Sequence, residues 1–416
     1  MTQFRTIKGT HDILPIDTKL WLKIASEIRE IMFQYGYAEI RTPAIENTEL
    51  FIRGIGLDTD IVNKEMFSWT DQGGKALTLK PELTAPVARA YIQHQLGSNN
   101  PMHRLCYFDS LFRRERPQKG RQRQFYQFGA EAIGSPHSEQ DAEIIAMAFN
   151  IYKYYNIKDI SIRINSIGSA KERPGYLKLL RDSITNMIQE FCNTCQSRMK
   201  KNALRMFDCK NNNCQILLED NAPYIYDSIS IDNRKHFELV LKFLDKMEIP
   251  YSHDKKLVRG LDYYSHTTFE ITSSSLGAQN ALCGGGRYNG LIEKIGGKPT
   301  PAVGFAAGYE RLLMQINKEK HLDYSPDIYF ITVCKNGSIE ASLIAEKLRT
   351  ECNKTVVIET LRRSMKAQMR EANRCSAKYV IILGETELSD KKVVVKQMDS
   401  GDQKLISLDK IINFFS

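Results

Sequence analysis

A chain of 416 residues, 42% hydrophobic and 26% charged, has enough apolar material for a large core and at least two domains and reads as an ordinary globular protein. No stretch approaches the roughly 18 consecutive apolar residues of a membrane span, and the opening MTQFRTIKGTHD lacks the apolar segment of a signal peptide, so a cytoplasmic protein without a membrane partner is expected. The formal charge of +9 favours an anionic partner such as nucleic acid, and nine cysteines, scattered singly apart from one cluster, fit a reducing compartment.

In chain order, Leu20, Trp21, Ile24, Ile28, Ile31 and Met32 make one apolar stripe, which predicts a helix over 17–35. A strand over 37–42 should stop at Pro43. The mixed segment 46–69, with Gly54 and Gly56, reads as a pliable loop, 71–75 as a tight turn and 76–79 as a short strand. Next comes Lys80-Pro81-Glu82-Leu83-Thr84, the entry to an apolar helix reaching about residue 96. Glu82 and Thr84 sit at a strand–helix junction, where side chains commonly meet ligands, and Thr84 equally suits a helix cap.

Residues 106–134, CYFDSLFRRERPQKGRQRQFYQFGAEAIG, read as a hairpin with strands over 105–112 and 122–132. Its connector carries five arginines or lysines between Arg113 and Arg121. Arg113 then ends one strand, Arg121 and Arg123 begin the next, and guanidinium forks at such places pair bidentately with phosphate oxygens. At a period of two, Gln127, Gly129 and Glu131 share one face, the small Gly129 leaving room between two polar groups suited to gripping a ligand.

A helix over 138–156 and a strand over 160–165 follow. The texture changes over 169–251, where helices are expected at 174–189 and 233–246 and the segment reads as a small, mostly helical surface module inserted into a larger domain. It holds Cys192, Cys195, Cys209 and Cys214 in the order C-x2-C-x13-C-x4-C. Two thiolate pairs on a short arm suit tetrahedral zinc, and free thiols suit the spacing too. VRGLDYY (258–264), a strand-like TTFEITS and ALCGGGRYNGL (281–291) come next. Three consecutive glycines there permit close approach of a ligand or strand, without the glycine spacing or lysine of a phosphate loop. Arg311 lies on a helix fed by a strand or turn. A polar linker at 318–326 leads to alternating strands and helices, with strands at 328–334, 355–359, 379–383 and 393–398, helices at 339–350 and 365–375, and a last helix from residue 408. Lys354, Arg362, Arg363, Lys366 and Lys378 are candidates for a basic, RNA-facing surface.

The hairpin resembles the second signature motif of class II aminoacyl-tRNA synthetases, in the wording of the histidyl branch. The 17–43 helix, strand and proline resemble the first motif, and GFAAGYERLL resembles the third. The resemblance runs over about residues 5–416 and departs from the family at Asn289, where GGRYDGL is usual, and at Thr10-His11, where Met-Asn is common.

The resemblance implies an α/β fold with an α+β catalytic core: an antiparallel sheet flanked by helices over 1–168 and 252–320, the inserted module over 169–251, and an anticodon-binding α/β domain over 326–416. It implies a homodimer that activates L-histidine with ATP and Mg2+ and transfers it to histidine tRNA. In that pattern Arg113 and Arg259 are catalytic at the α-phosphate. Arg121 and Arg311 meet the β- and γ-phosphates, and Phe125 stacks on adenine. Glu82, Thr84 and Gln127 grip the α-amino group, while Glu131 and Tyr264, with Tyr263 beside it, read the imidazole. Arg116 and Gln118 face the tRNA acceptor end. The rival expectation is a non-aminoacylating paralogue, a histidine-sensing regulatory subunit of ATP phosphoribosyltransferase; such subunits lack the C-terminal domain.

Overall fold

The computed structural model describes residues 3–57, 59–316, 325–334 and 336–416. It divides into two compact units, Met1–Ile13 with Leu22–Lys318 and Leu14–Trp21 with Glu319–Ser416. Most of the polar stretch expected at 318–326 lies outside the described residues.

Helix α1 (Pro15–Gln34) buries Ile24, Ala25, Ile28 and Met32, the inner part of the expected stripe. The strand after it is shorter than expected: β1 (Ala38–Glu39) makes two parallel register pairs with the edge of the main sheet. The described residues of 46–69 form regular elements, which corrects the loop expectation. It contains β2 (Ile45–Asn47), α2 (Thr48–Ile55), a wide helical turn Ile61–Glu65 and β3 (Phe67–Thr70). Gly54 lies inside α2, close against Ala85 and Leu291, where a side chain would be crowded. β4 (Ala76–Leu79) completes a small antiparallel sheet in the order β2-β4-β3 and delivers the chain to α3 (Thr84–Gln93).

The main sheet has eight strands in the order β1-β5-β6-β11-β10-β9-β7-β8. They are β5 (His103–Phe112), β6 (Gln124–Ile133), β7 (Ile160–Ser166), β8 (Ser252–His253), β9 (Ser265–Ser273), β10 (Ala281–Arg287) and β11 (Ala302–Gly308), together with β1. From β5 through to β7 every pairing is antiparallel. On one face Phe128, Ala130, Ala132, Phe305, Ala307 and Phe269 are buried, as expected of alternate residues turned to a core. The helix Ser138–Tyr154 lies on this sheet and carries Asp141, fully buried against Arg287. Burial opposes ionisation of Asp141, but the Arg287 guanidinium and His236 hold its carboxyl down to about 2.

The segment 169–251 is helical, with Arg173–Ile184, Asn193–Lys201, Asn212–Asn221 and Ile231–Lys246 as its main helices. It is less peripheral than expected. Leu180, Phe191, Leu204, Phe207 and Leu218 share one apolar core with Leu83, Leu105, Val258 and Tyr264, and Ile231–Lys246 packs on Ser138–Tyr154.

The second unit holds a five-stranded sheet in the order β13-β12-β14-β15-β16, from β12 (Ile328–Thr332), β13 (Val356–Ile358), β14 (Tyr379–Leu383), β15 (Lys392–Gln397) and β16 (Gln403–Ser407). The first three strands are parallel, joined through the helices Gly337–Thr350 and Met365–Arg374, and the last two are antiparallel. β16 escaped the sequence reading because its exposed Gln403, Lys404 and Leu405 give no clean alternation. Two of the five residues proposed for a basic face are engaged elsewhere: Arg363 pairs with Glu359 at 2.6 Å and Lys378 with Asp327 at 2.7 Å.

Candidate active site

The register of the main sheet sets out one face row by row, because directly opposed residues in an antiparallel pair point the same way. One row runs Glu270, Gly284, Ala306, Gly129, Tyr107 across β9, β10, β11, β6 and β5. The next runs Thr268, Gly286, Gly304, Glu131, Leu105. A third holds Gly308, Gln127 and Asp109. The middle of this face is therefore paved with glycine and alanine and framed by polar side chains. The small residues are obligatory: a Cβ on Gly304 would fall 1.7 Å from Glu131 Oε2, one on Gly129 2.6 Å from the Tyr107 hydroxyl, and one on Gly284 1.8 Å from Arg259 Nη2. The sequence drew attention to the glycine run without saying what fills the space. Much of it is filled by Arg259.

At one end of this floor Glu131, 1% exposed, is surrounded by hydroxyls. Its Oε1 accepts from Thr84 at 2.7 Å and Tyr107 at 3.0 Å, and its Oε2 accepts from Tyr288 at 2.6 Å. Burial pushes the carboxyl up to about 8 although all three hydroxyls favour the ionised form. A carboxylate offers about four lone-pair sites, so Oε2 keeps one for a further donor. Tyr107 and Tyr288 were not singled out from the sequence. Tyr107 sits opposite Gly129 in the hairpin, a signal that pairing the two strands would have given; Tyr288 offered none.

Glu82 lies beside this cluster. Its two oxygens accept the backbone N–H groups of Thr84 (2.9 Å) and Ala85 (2.8 Å), and Tyr263 donates to it at 3.5 Å. Glu82 is thus the residue that caps α3, and Thr84, the first residue of the helix, turns its hydroxyl to Glu131 instead. This corrects the capping role expected of Thr84. Tyr264 is buried close to Glu131 and Arg259; burial raises its hydroxyl to about 12, with Arg259 opposing. Gln127 Oε1 is buried without a hydrogen-bond partner among the described residues, and so is Arg259 Nε.

The opposite end is cationic. Arg259 Nη1 meets Glu270 Oε1 at 2.5 Å, and Glu270 also pairs with Arg163. Burial works against the Glu270 carboxylate, yet the two guanidiniums hold it below the usual range. Arg113 donates from Nε to the Pro81 carbonyl at 2.8 Å, lies 3.6 Å from Glu115, and has its guanidinium carbon 5.3 Å from the centre of the Phe125 ring. Arg121 lies 3.1 Å from the same Glu115. Arg311 donates to the carbonyls of Gly120 (3.0 Å) and Ala281 (2.6 Å), and burial, then repulsion from Arg121 with a smaller share from Arg113, pushes it below its ordinary value. Three guanidiniums thus feel one another, with Glu115 as the carboxylate shared by Arg113 and Arg121. Such a cluster gains most from a polyanion.

The hairpin is as expected in kind, but its second strand begins at Gln124, so Arg121 and Arg123 belong to the connector. That connector closes on itself through a bridge between Gln118 and Arg121 and leaves the side chains of Arg116 and Gln118 exposed. Asn289, where the family usually has aspartate, uses only the acceptor an aspartate would also offer: its Oδ1 accepts from Ala302 N at 3.1 Å and Arg287 Nη1 at 3.4 Å. The four cysteines of the insert converge, their Sγ atoms all within 4.8 Å of one another.

The family model described as histidyl-tRNA synthetase matches residues 9–312, and one described as an anticodon binding domain matches 328–416. A histidine–tRNA ligase of Lysinibacillus sphaericus is 43% identical over 419 residues, covering 99% of each chain. The solved structure of the apo histidyl-tRNA synthetase of S. aureus superposes with a TM-score of 0.81 at 35% identity, covering 99% of this chain and 100% of that one. A Bacillus halodurans structure described as an ATP phosphoribosyltransferase regulatory subunit/histidyl-tRNA synthetase shares the fold at 22% identity and a TM-score of 0.66, over 92% of this chain and 99% of that one. With both its catalytic and its anticodon-binding parts matched, the chain belongs to the histidyl-tRNA synthetase family.

Proposed function

We infer that this protein is an ATP-dependent histidine–tRNA ligase. The observation that carries the reading is the polarity of the glycine floor: an acceptor-rich pocket around Glu131 at one end and clustered guanidiniums at the other, as a cationic amino acid and a triphosphate require. In the first step a histidine carboxylate oxygen attacks the α-phosphorus, the bond from that phosphorus to the bridging oxygen of the β-phosphate breaks, and pyrophosphate leaves. Charge gathers on the phosphoryl oxygens, so fixed cations are needed more than a strong base. Arg113 and Arg259 serve the α-phosphate, Arg121 and Arg311 the β- and γ-phosphates, and Phe125 the adenine ring. In the second step a hydroxyl of the terminal adenosine of histidine tRNA attacks the adenylate carbonyl and AMP leaves, with Arg116 and Gln118 facing the acceptor end.

Histidine is read by the free lone pair of Glu131 on one ring nitrogen and by Tyr264, beside Tyr263, on the other. A ring lacking either group would leave a buried partner unpaired. Gln127, whose Oε1 has no partner among the described residues, takes the α-amino group together with Glu82 and Thr84. Mg2+ bound with ATP would screen the phosphate charge, and Glu115 with the neighbouring Glu65, whose carboxyl is raised by burial and then by Glu115, would supply the one or two carboxylates that Mg2+ takes beside phosphate oxygens.

The remaining parts of the reading are a cytoplasmic homodimer, with 169–251 as a module leaning on the tRNA acceptor stem and 326–416 as the anticodon reader. Among the described residues no helix is long and apolar enough to cross a membrane. Exposed Leu22 and Phe33 on α1 supply apolar surface for a second subunit, which light scattering would register as a doubled mass.

The deciding experiment is ATP–pyrophosphate exchange with each amino acid in turn. Exchange with histidine alone is expected. Histidine binding without exchange in folded protein would instead mark a regulatory paralogue.

A further inference from the structure

The four cysteines of the insert lie outside the pocket just described, and their geometry is unusual. Cys192 immediately precedes the helix Asn193–Lys201 and Cys195 lies in its first turn; Cys209 lies three residues before Asn212–Asn221, which Asn211 caps, and Cys214 lies in its first turn. Both pairs therefore lie near the positive end of a helix. Cys195 and Cys214 are buried, Cys192 and Cys209 half-buried, and none is in a disulfide. Cys192 Sγ and Cys209 Sγ are 3.7 Å apart, far beyond a bonded pair and close to the about 3.8 Å edge of a sulfur tetrahedron built on Zn–S distances near 2.3 Å. Backbone N–H groups of Cys192 and Asn211 donate to the sulfurs of Cys214 (3.3 Å) and Cys209 (3.5 Å). Such outer contacts orient thiolates toward a shared ion.

We propose that Cys192, Cys195, Cys209 and Cys214 form a closed tetrathiolate site for one Zn2+ ion, which fixes the arm 196–208 against the histidine pocket. Four ligands complete the tetrahedron, so the ion is structural and holds no water for chemistry. The arm it ties off carries Asn202, whose Nδ2 donates to Asp262 Oδ1 at 2.7 Å, and Arg205, which pairs with Asp60 at 2.9 Å. Asp262 immediately precedes Tyr263 and Tyr264 and crowds Gly56 at the end of α2. The ion thereby acts as a positioning element for the segment that reads the imidazole.

The test is the metal content of the full-length protein, purified under reducing conditions and dialysed against a weak chelator. About one zinc per chain is expected. Cobalt exchanged into the site should give the strong thiolate-to-metal absorption and visible bands of a tetrahedral ion. Cys209→Ser and Cys214→Ser should lose the metal. Asn202→Ala should keep the metal yet raise the KM for histidine several-fold with kcat little changed. Metal-free protein with four freely titrating thiols, disulfides in its intact mass, or iron in place of zinc would overturn the site. An Asn202→Ala protein with an unchanged KM would overturn the brace. Because the first measurement is made on the unaltered protein, poor folding of a cysteine variant does not shield the metal site, which stands or falls independently of whether exchange is seen with histidine; the brace alone rests on the proposed histidine site.

Discussion

At the Glu131 end of the glycine floor the carboxyls are buried and already partnered, and burial pushes Glu131 up to about 8; at the arginine end the charge is positive, partly exposed and in excess. Glu131 is held by three hydroxyls and Glu82 by two backbone N–H groups, so this end is rigid before a ligand arrives. Arg113 and Arg121 share Glu115, while Arg259 is engaged by Glu270; under the proposed function these guanidiniums would exchange partners when phosphate enters. The difference teaches how one site serves selectivity and rate. Under the proposed function, selectivity would come from acceptors held in place before binding, since a mismatched ring leaves a buried group unpaired, and rate from cations that strengthen their contacts as charge develops.

The sharpest way to break the comparison is Arg259→Ala. The side chain lies over Gly284, anchored by Glu270, and has an unpartnered Nε, and it lies apart from the exposed hairpin connector. Losing one donor to a developing phosphoryl charge costs on the order of 10²–10³ in rate, so exchange should fall by about that much while affinity for histidine tRNA, followed by filter binding, stays near normal. Parallel losses of activation and tRNA binding would refute the assignment.

Tyr288→Phe probes the other end and should act about tenfold, through the KM for histidine, because a buried carboxylate loses one hydrogen bond worth about 1–3 kcal/mol. It also carries a pH signature. Burial raises Glu131 from the usual glutamate range to about 8, and the Tyr288 hydroxyl is the largest influence opposing it. An imidazole N–H prefers the ionised carboxylate, so histidine affinity should climb as pH rises through the Glu131 pKa, and removing Tyr288 should move that midpoint upward. The same shift has a stability consequence in the unliganded protein. A carboxyl whose folded pKa lies above its unfolded one favours folding at low pH, a contribution lost as pH rises from about 4.5 toward about 8. Thermal melts of the two proteins across this range separate the effects: a pH-independent difference would mean that Tyr288 only packs.

Much of the arginine end was legible in the sequence, and much of the Glu131 end only in part. Arginines in a polar connector between two alternating strands suggested a phosphate site, and Arg113, Arg121 and Arg311 do lie together around that connector; Arg259 was placed by the family resemblance alone. Gln127, Gly129 and Glu131 were placed on one face by a period of two, and the register bears that out. Tyr107 was within reach once the two hairpin strands were paired, whereas Gly304 and Tyr288 were invisible because they come to Glu131 from β11 and the segment after β10, placements that depend on which strands become neighbours. The helical nature of 46–69 was missed because two glycines looked like punctuation, although Gly54 is a packing residue. Strand β16 was missed because its side chains face water.

Gln118→Ala makes the smallest change and tests whether the mobile-looking connector belongs to either end. The turn that carries Gln118 is closed by backbone bonds in both directions between Gln118 and Arg121, at 3.1 and 2.9 Å, and Arg311 grips the carbonyl of the adjacent Gly120. Truncating the exposed side chain therefore leaves the turn, and the arginines hung from it, in place. Exchange should be unchanged. Transfer to histidine tRNA, measured by rapid mixing of preformed adenylate, should slow only a few-fold, the worth of one net hydrogen bond of about 0.5–1.5 kcal/mol. A normal transfer rate would remove Gln118 from the acceptor end, whereas a loss of exchange would mean that the connector acts on the triphosphate, joining the tip of the hairpin to the cationic end.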